Sequence, residues 1–208
     1  MEKRIRGDIL YAAGTHENLE DTMVKNVLVP VADGTEELEA VCIVDVLRRS
    51  GASVIMASVD KMEVVGSKGV RLVADQLLSA CLGTTYDLIV LPGGMPGAER
   101  LRDARELIEL VKEQARAGRY YGAICAAPAV ALYPHGLLDG RKATCHPNFA
   151  HLAEGVDLVD AAVVIDRNCI TSRGAGTAPE FALTLVELLH GKEKAREVAQ
   201  GMVFTREW

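Results

Sequence analysis

The sequence predicts an α/β fold in which a mostly parallel sheet is covered by helices on both faces. Three observations carry this reading. Short continuous apolar runs, Val27-Leu28-Val29-Pro30-Val31 and Leu88-Ile89-Val90-Leu91 among them, suit strands buried on both sides. Helical segments alternate with such runs, which is the order that parallel strands with crossover helices require. Three loops of unusual composition, Asp33 to Glu39, Pro92 to Gly97 and Cys125 to Pro128, leave strands at the edge where ligands of such sheets bind.

The compact domain is read as 25–208. Asp33-Gly34-Thr35 turns the chain after the first strand. Glu36, Glu37 and Glu39 then open a helix to about Arg49, where acidic side chains complement the positive end of the helix dipole, and Gly51 stops it. Ser53 to Val59 reads as a strand, and Lys61 to Val73 as a small ribbon turning at Gly66 to Gly69. After the Asp87 to Leu91 strand and Pro92-Gly93-Gly94, one long helix is expected from Gly97 to Ala117. Tyr120 to Ile124 is the next strand, followed by Cys125 and a small-residue helix, Ala126 to Leu132. Lys142 to Cys145 leads to His146-Pro147, and two strands, Val163 to Asp166 and Cys169 to Ser172, flank a turn. Thr177-Ala178-Pro179-Glu180 has the form of a capping box at the start of a helix ending at His190, and a last helix spans Glu193 to Gln200. Residues 1–24 mix basic and acidic side chains, fit neither a secretory signal nor a transit peptide, and read as an extension of unknown role.

Composition narrows the function classes. Of 208 residues, 49% are hydrophobic, 25% charged and 4% aromatic, which suits an aliphatic core and not disorder. The net charge of −6 comes with no basic cluster, so nothing points to nucleic acid. No apolar run approaches the ~18 residues of a membrane helix, so no membrane partner is expected. Five cysteines without a C-x-x-C pair suit a reducing compartment, and a cytoplasmic location is expected. There is no G-x-G-x-x-G and no P-loop, so no nucleotide cofactor is expected. Cys145, His146 and His151 do not match a common zinc spacing, and no metal is expected.

The strongest local signal is Ala123-Ile124-Cys125-Ala126-Ala127-Pro128. A nucleophile on a tight strand-to-helix turn needs small residues on either side, and cysteine holds the central place. A helix N-terminus behind Cys125 would lower its pKa from ~8.5. The competing reading is a buried packing cysteine, the role given to the other four. Gly94 and Ala126 N–H groups could bind an oxyanion, against an ordinary strand-ending turn. Glu36, Glu37 and Glu39 read as exposed helix-start carboxylates. Glu39 differs because helical spacing sets it near Leu38, Cys42 and Ile43, where burial would keep it protonated and able to donate to a thiolate. His146 is a candidate base, or a turn histidine without a reactive role.

Together these segments resemble the ThiJ/PfpI superfamily, and within it the parkinsonism-associated deglycase branch. The matching pieces are Gly34-Thr35-Glu36-Glu37-Leu38-Glu39, Leu91-Pro92-Gly93-Gly94, Ala123 to Pro128, His146-Pro147 and Thr171 to Thr177, in the family's order over 25–204. Ala127 and Ala175 stand where relatives often carry glycine and proline. The resemblance implies a flavodoxin-like three-layer sandwich and a homodimer, the latter consistent with an apolar first helix carrying Val41, Val44 and Leu47. It implies Cys125 as nucleophile, Glu39 as its protonated partner, His146 near the thiol, Gly94 and Ala126 as backbone donors, and Arg173 lining the same region.

The expected activity is that of a cofactor-independent glyoxalase or deglycase acting on dicarbonyls such as methylglyoxal, with a part in oxidative-stress protection. A redox sensor or chaperone switched by cysteine oxidation is the first alternative. A cysteine peptidase or amidotransferase is the second, and it would need an acid to orient His146.

Overall fold

The computed structural model describes residues 24–205 and, before them, the backbone of β1 (Ile5–Arg6) and β2 (Ile9–Tyr11). The chain continues through β3 (Asn26–Val31), α1 (Glu37–Arg49), β4 (Ser53–Ser58), β5 (Glu63–Val65), β6 (Arg71–Val73), β7 (Gln76–Leu77), β8 (Leu88–Leu91), α2 (Gly97–Asp103), α3 (Arg105–Arg116) and β9 (Tyr120–Ile124). The remainder holds β10 (Lys142–Ala143), β11 (Asp157–Leu158), β12 (Val163–Asp166), β13 (Cys169–Ser172), α4 (Ala178–His190) and α5 (Lys192–Gly201).

Among the described residues nine strands form one sheet, in the order β1-β2-β12-β13-β9-β8-β3-β4-β7. Neighbours run parallel except β1 against β2 and β12 against β13. Alternation along β3 sends Val27 and Val29 to one face, with Ile43 and Leu47 of α1 and Phe181 and Leu185 of α4. Leu28 goes to the other face, with Leu101, Leu107 and Val111 of α2 and α3. Both faces are therefore covered, and the predicted flavodoxin-like three-layer α/β sandwich is the fold observed. The ribbon is also as expected, β5 pairing antiparallel with β6. The reading of residues 1–24 as an extension lies mostly outside the described residues; its β2 pairs with β12, Ile9 opposite Val163 and Tyr11 opposite Ile165.

Four local expectations are corrected. The long helix is two, because Ala104 leaves helical geometry at ψ 89. Buried Ala98, Leu101, Ile108 and Val111 keep helical spacing across that break, and no Gly or Pro marks it, so periodicity runs straight through. The helix after Cys125 is a single wide turn, Pro128–Leu132, closed by the Tyr133 N–H reaching back five residues to the Pro128 carbonyl, and a 3₁₀ turn follows. Thr177 makes no side-chain cap on α4; its hydroxyl turns back to Gly174 instead. Val44 and Leu47 face the core, leaving Leu38 and Val41 as the exposed apolar residues of α1.

A further correction positions the site. Glu37 and Glu39 are both buried and Glu36 is half-buried. Glu37 accepts the Lys68 N–H at 3.0 and 3.1 Å and the Val70 N–H at 3.2 Å, so its carboxylate stands in for a strand partner and clamps the ribbon loop onto α1. Backbone donors hold this carboxyl below the ordinary carboxylate range although its burial opposes them. The Ser67 hydroxyl donates to Glu36 at 2.5 Å, and the Ser67 N–H to the Thr35 carbonyl at 2.8 Å. The first turn of α1, which carries Glu39, is thereby fixed against the sheet edge.

Candidate active site

Strands β13, β9, β8 and β3 are consecutive in the sheet and parallel, so their carboxyl ends deliver four loops to one place. Cys125 leaves β9 with φ 64, in the left-handed region. That conformation costs a non-glycine residue about 1–3 kcal/mol and persists only where the surroundings enforce it. Here the Cys125 N–H donates to the Ser172 carbonyl of β13 at 3.0 Å, and its carbonyl accepts the His146 N–H at 2.8 Å. The strained elbow predicted from the small flanking residues is present.

Beneath it lies Gly93. A Cβ there would stand 2.7 Å from Cys125 Cβ and 2.9 Å from the Ile124 carbonyl oxygen. Those atoms belong to the elbow itself and cannot give way. Gly93→Ala is therefore expected to destabilise the fold by at least about 1–3 kcal/mol, read as a lower urea midpoint with unchanged slope.

Glu39 comes up from α1 on the other side. Its Oε2 accepts the Gly93 N–H at 2.8 Å, and its Oε1 is buried without a hydrogen-bond partner of ordinary geometry. Burial raises the carboxyl from 4.5 to about 7; the bonds to Gly93 and to the Cys125 side chain oppose the rise. The thiol is pushed up to about 12, first by burial and then by the charge of Glu39, while the Gly94 and Ala126 amides directed at the sulfur pull it down. The expectation of a lowered thiol pKa thus fails for a thiol facing an ionised carboxylate, and the short turn after Ala127 supplies little dipole to offset burial. Protonation of Glu39 reverses two of the raising causes, because the repulsion vanishes and the carboxyl can donate to sulfur. The two groups are therefore coupled, and the protonation of each biases that of the other.

The remaining predicted residues gather around this pair. His146 follows the β10 segment. Its Nδ1 accepts the Asn148 N–H at 3.2 Å, which assigns the proton of the neutral ring to Nε2, and the ring meets Phe149 edge-on. Arg173 leaves β13 next to the elbow, but its guanidinium pairs with Asp160, and its charge is felt at the buried Cys145 thiol. Asp160 is largely exposed, so this pair is a surface one. Thr177 joins the site although its sequence context reads as a helix cap. Its hydroxyl accepts the Gly174 N–H at 3.1 Å and lies 2.7 Å from Ser172 Oγ, knotting the loop that crosses the thiol. A threonine three residues after a glycine is the signal, and the capping-box pattern that begins at Thr177 masks it.

Of the five cysteines, Cys81, Cys145 and Cys169 are buried, and Cys42 and Cys125 are half-buried. Burial, and then Asp45, raises Cys42 to about 11. No proton-sharing partner offsets that rise. Limited alkylation at pH 8 followed by peptide mass spectrometry should modify Cys125 first; prior labelling of Cys42 would remove Cys125 from the reactive role.

Residues 25–188 match the DJ-1/PfpI family. The chain is 47% identical over 175 residues to protein DJ-1 homolog B of Arabidopsis thaliana, which covers 84% of this chain but 40% of that protein. Homolog A of the same plant is likewise covered over 47% of its length, so the chain spans about half of each. It is 40% identical to the dj-1beta protein of Drosophila melanogaster over 87% of this chain and 98% of that one. The glutathione-independent glyoxalase DJR-1.2 of Caenorhabditis elegans is 38% identical over 86% of this chain and 96% of its own. Among solved structures, oxidised Toxoplasma gondii DJ-1 superposes with a TM-score of 0.86 at 45% identity, over 88% of this chain and 100% of that one. With the family match over residues 25–188 and 40% identity across nearly the whole Drosophila protein, the chain belongs to the DJ-1/PfpI family.

Proposed function

We propose that this protein converts methylglyoxal and related 2-oxoaldehydes to 2-hydroxy acids without glutathione, metal or other cofactor. One observation carries the proposal: the strained Cys125 lies against the buried Glu39 while two backbone amides point at its sulfur. In the reactive form proposed, the pair shares one proton, held by the carboxyl with the sulfur as thiolate. The named activity of the Caenorhabditis elegans relative supports the same chemistry.

In this scheme the Cys125 thiolate adds to the aldehyde carbon, forming a C–S bond and an alkoxide. The Gly94 and Ala126 amides hold that oxygen as the sulfur gives up its charge. Glu39 delivers its proton to the alkoxide and becomes the carboxylate that removes the C1 hydrogen. Returning that proton to C2 through an enediol leaves a thioester, which water cleaves to lactate and free thiol. His146, with its Nε2–H, assists at the second oxygen. Lactate formed from methylglyoxal in buffer containing a chelator and no thiol tests the proposal. Its absence, or a strict need for metal, would overturn it.

A Cys-His-acid hydrolase has less support. The Nδ1 of His146 is occupied by the Asn148 N–H, and among the described residues no carboxylate bonds to the ring. A redox role draws on the same amides, which would stabilise oxygens added to the sulfur. Action on glycated protein would follow from the same thiolate attacking a larger carbonyl adduct.

We also propose a homodimer across α1 and the ribbon. Leu38 and Val41 of α1, with Val70 and Val73 of the ribbon, expose apolar side chains on elements that Glu37 ties together. Sedimentation at micromolar concentration should give twice the chain mass, and Leu38→Glu with Val41→Glu should give the monomer. A monomeric wild type would refute it.

A further inference from the structure

Gly174 has no structural reason to be glycine. Its φ of 164 and ψ of −172 are extended backbone open to any residue. A Cβ built there would meet two atoms within 4 Å, His146 Cδ2 at 3.4 Å and Cys125 Sγ at 3.9 Å, both ordinary contacts. Gly93 offers the contrast, since there the fold itself leaves no room. The side chain that Gly174 lacks would enter the space directly beside the thiol and the imidazole.

The position is also held firmly. The Gly174 carbonyl accepts the Thr177 N–H at 2.8 Å and the Thr177 hydroxyl at 2.9 Å, and its N–H donates to that hydroxyl at 3.1 Å. Ser172 Oγ, 2.7 Å from the same hydroxyl, donates to the Ala162 carbonyl at 2.8 Å. These bonds tie the Gly174 backbone in place beside the thiol. Cys125 has the Gly93 floor on one side and Glu39 on another, and the Gly174 backbone lines a third.

We propose that Gly174 sets the size of the electrophile admitted to Cys125, and that Thr177 is the positioning residue holding this threshold in place. The specificity inferred is for 2-oxoaldehydes whose substituent passes over a bare backbone. This rests on the cysteine chemistry proposed above, so the deciding measurement does not depend on turnover.

The test compares wild type with Gly174→Ala and Gly174→Val. Cys125 is alkylated in the full chain with compact iodoacetamide and with the bulkier N-ethylmaleimide, and the two rates are taken as a ratio. A single added methyl in a tight site discriminates by about tenfold or more, so Gly174→Ala should slow N-ethylmaleimide about tenfold relative to iodoacetamide. Gly174→Val should slow both. In turnover, kcat/KM for phenylglyoxal should fall more than that for methylglyoxal in Gly174→Ala. Melting temperatures should stay near wild type, and failure of Gly174→Ala to fold would overturn the proposal by showing that the fold demands glycine. A wild-type ratio of alkylation rates in both folded variants would overturn it too. If wild type turned over neither oxoaldehyde, the glyoxalase reading would fail, and the alkylation ratio would still decide the role of Gly174.

Discussion

Cys125→Ser is expected to lose at least about a thousandfold in lactate formation from methylglyoxal while keeping the wild-type melting temperature. The substitution exchanges sulfur for oxygen in a side chain of similar shape, on a backbone already locked at φ 64 by bonds to Ser172 and His146. Packing against Gly93 and Ile124 involves the Cβ, which both residues share. What changes is ionisation. Glu39, raised to about 7, can hold the proton of a thiol in the shared form described above, but a serine hydroxyl is far too weak an acid to yield it. His146 cannot substitute as a strong base, because its Nδ1 is engaged with Asn148 and no carboxylate supports the ring among the described residues. Coupled lactate assays at saturating methylglyoxal, with Cys125→Ala as the floor, decide the matter. A serine variant within tenfold of wild type would move the chemistry away from Cys125.

Much of this site is legible in the sequence because its signals are local. Ala123, Ala126 and Ala127 flank the cysteine since the elbow brings strand and turn backbones together, and Leu91-Pro92-Gly93-Gly94 ends a strand whose neighbour is β9. The burial of Glu39 follows from helical spacing, since Ala40 and Ile43 on the same side enter the core. Other features depend on partners distant in sequence. The ribbon that Glu37 satisfies lies about thirty residues away, so an acidic residue in the first turn of a helix reads as exposed until Lys68 and Val70 are seen to donate to it. The pattern at Thr177 fits two hydrogen-bonding solutions, and the choice is made by Gly174 and Ser172, not by the helix. The break at Ala104 leaves no trace in composition or spacing. The Cys125 thiol lies higher than its motif suggests because the turn after it resembles a helix start, whereas burial and a carboxylate from α1 outweigh what one wide turn can supply.

The same carboxylate gives the second large effect. Glu39→Gln should cut turnover by about a hundredfold or more, since an amide can donate to the sulfur but cannot carry a proton between two carbons. It should also change how stability depends on pH. The folded-state pKa of Glu39 lies above its ordinary 4.5, at about 7, so its contribution to stability is fully present below about 4.5 and is lost as pH rises through about 7. At ~1.4 kcal/mol for each pH unit between those values, ionising the buried carboxyl withdraws about 3 kcal/mol by pH 8. Glutamine has no such ionisation. Urea unfolding of wild type should therefore weaken between pH 5 and 8 relative to Glu39→Gln, and at pH 8 the variant should be the more stable and nearly inactive protein. The Cys125 alkylation profile should change in step. Burial and then the Glu39 charge raise the thiol, so removing that charge in the variant should move the rise in reactivity to lower pH than in wild type. Parallel stability curves for the two proteins, or an unshifted alkylation profile in the variant, would mean that Glu39 does not govern the protonation of Cys125. The proton path proposed for catalysis would then have to run through His146.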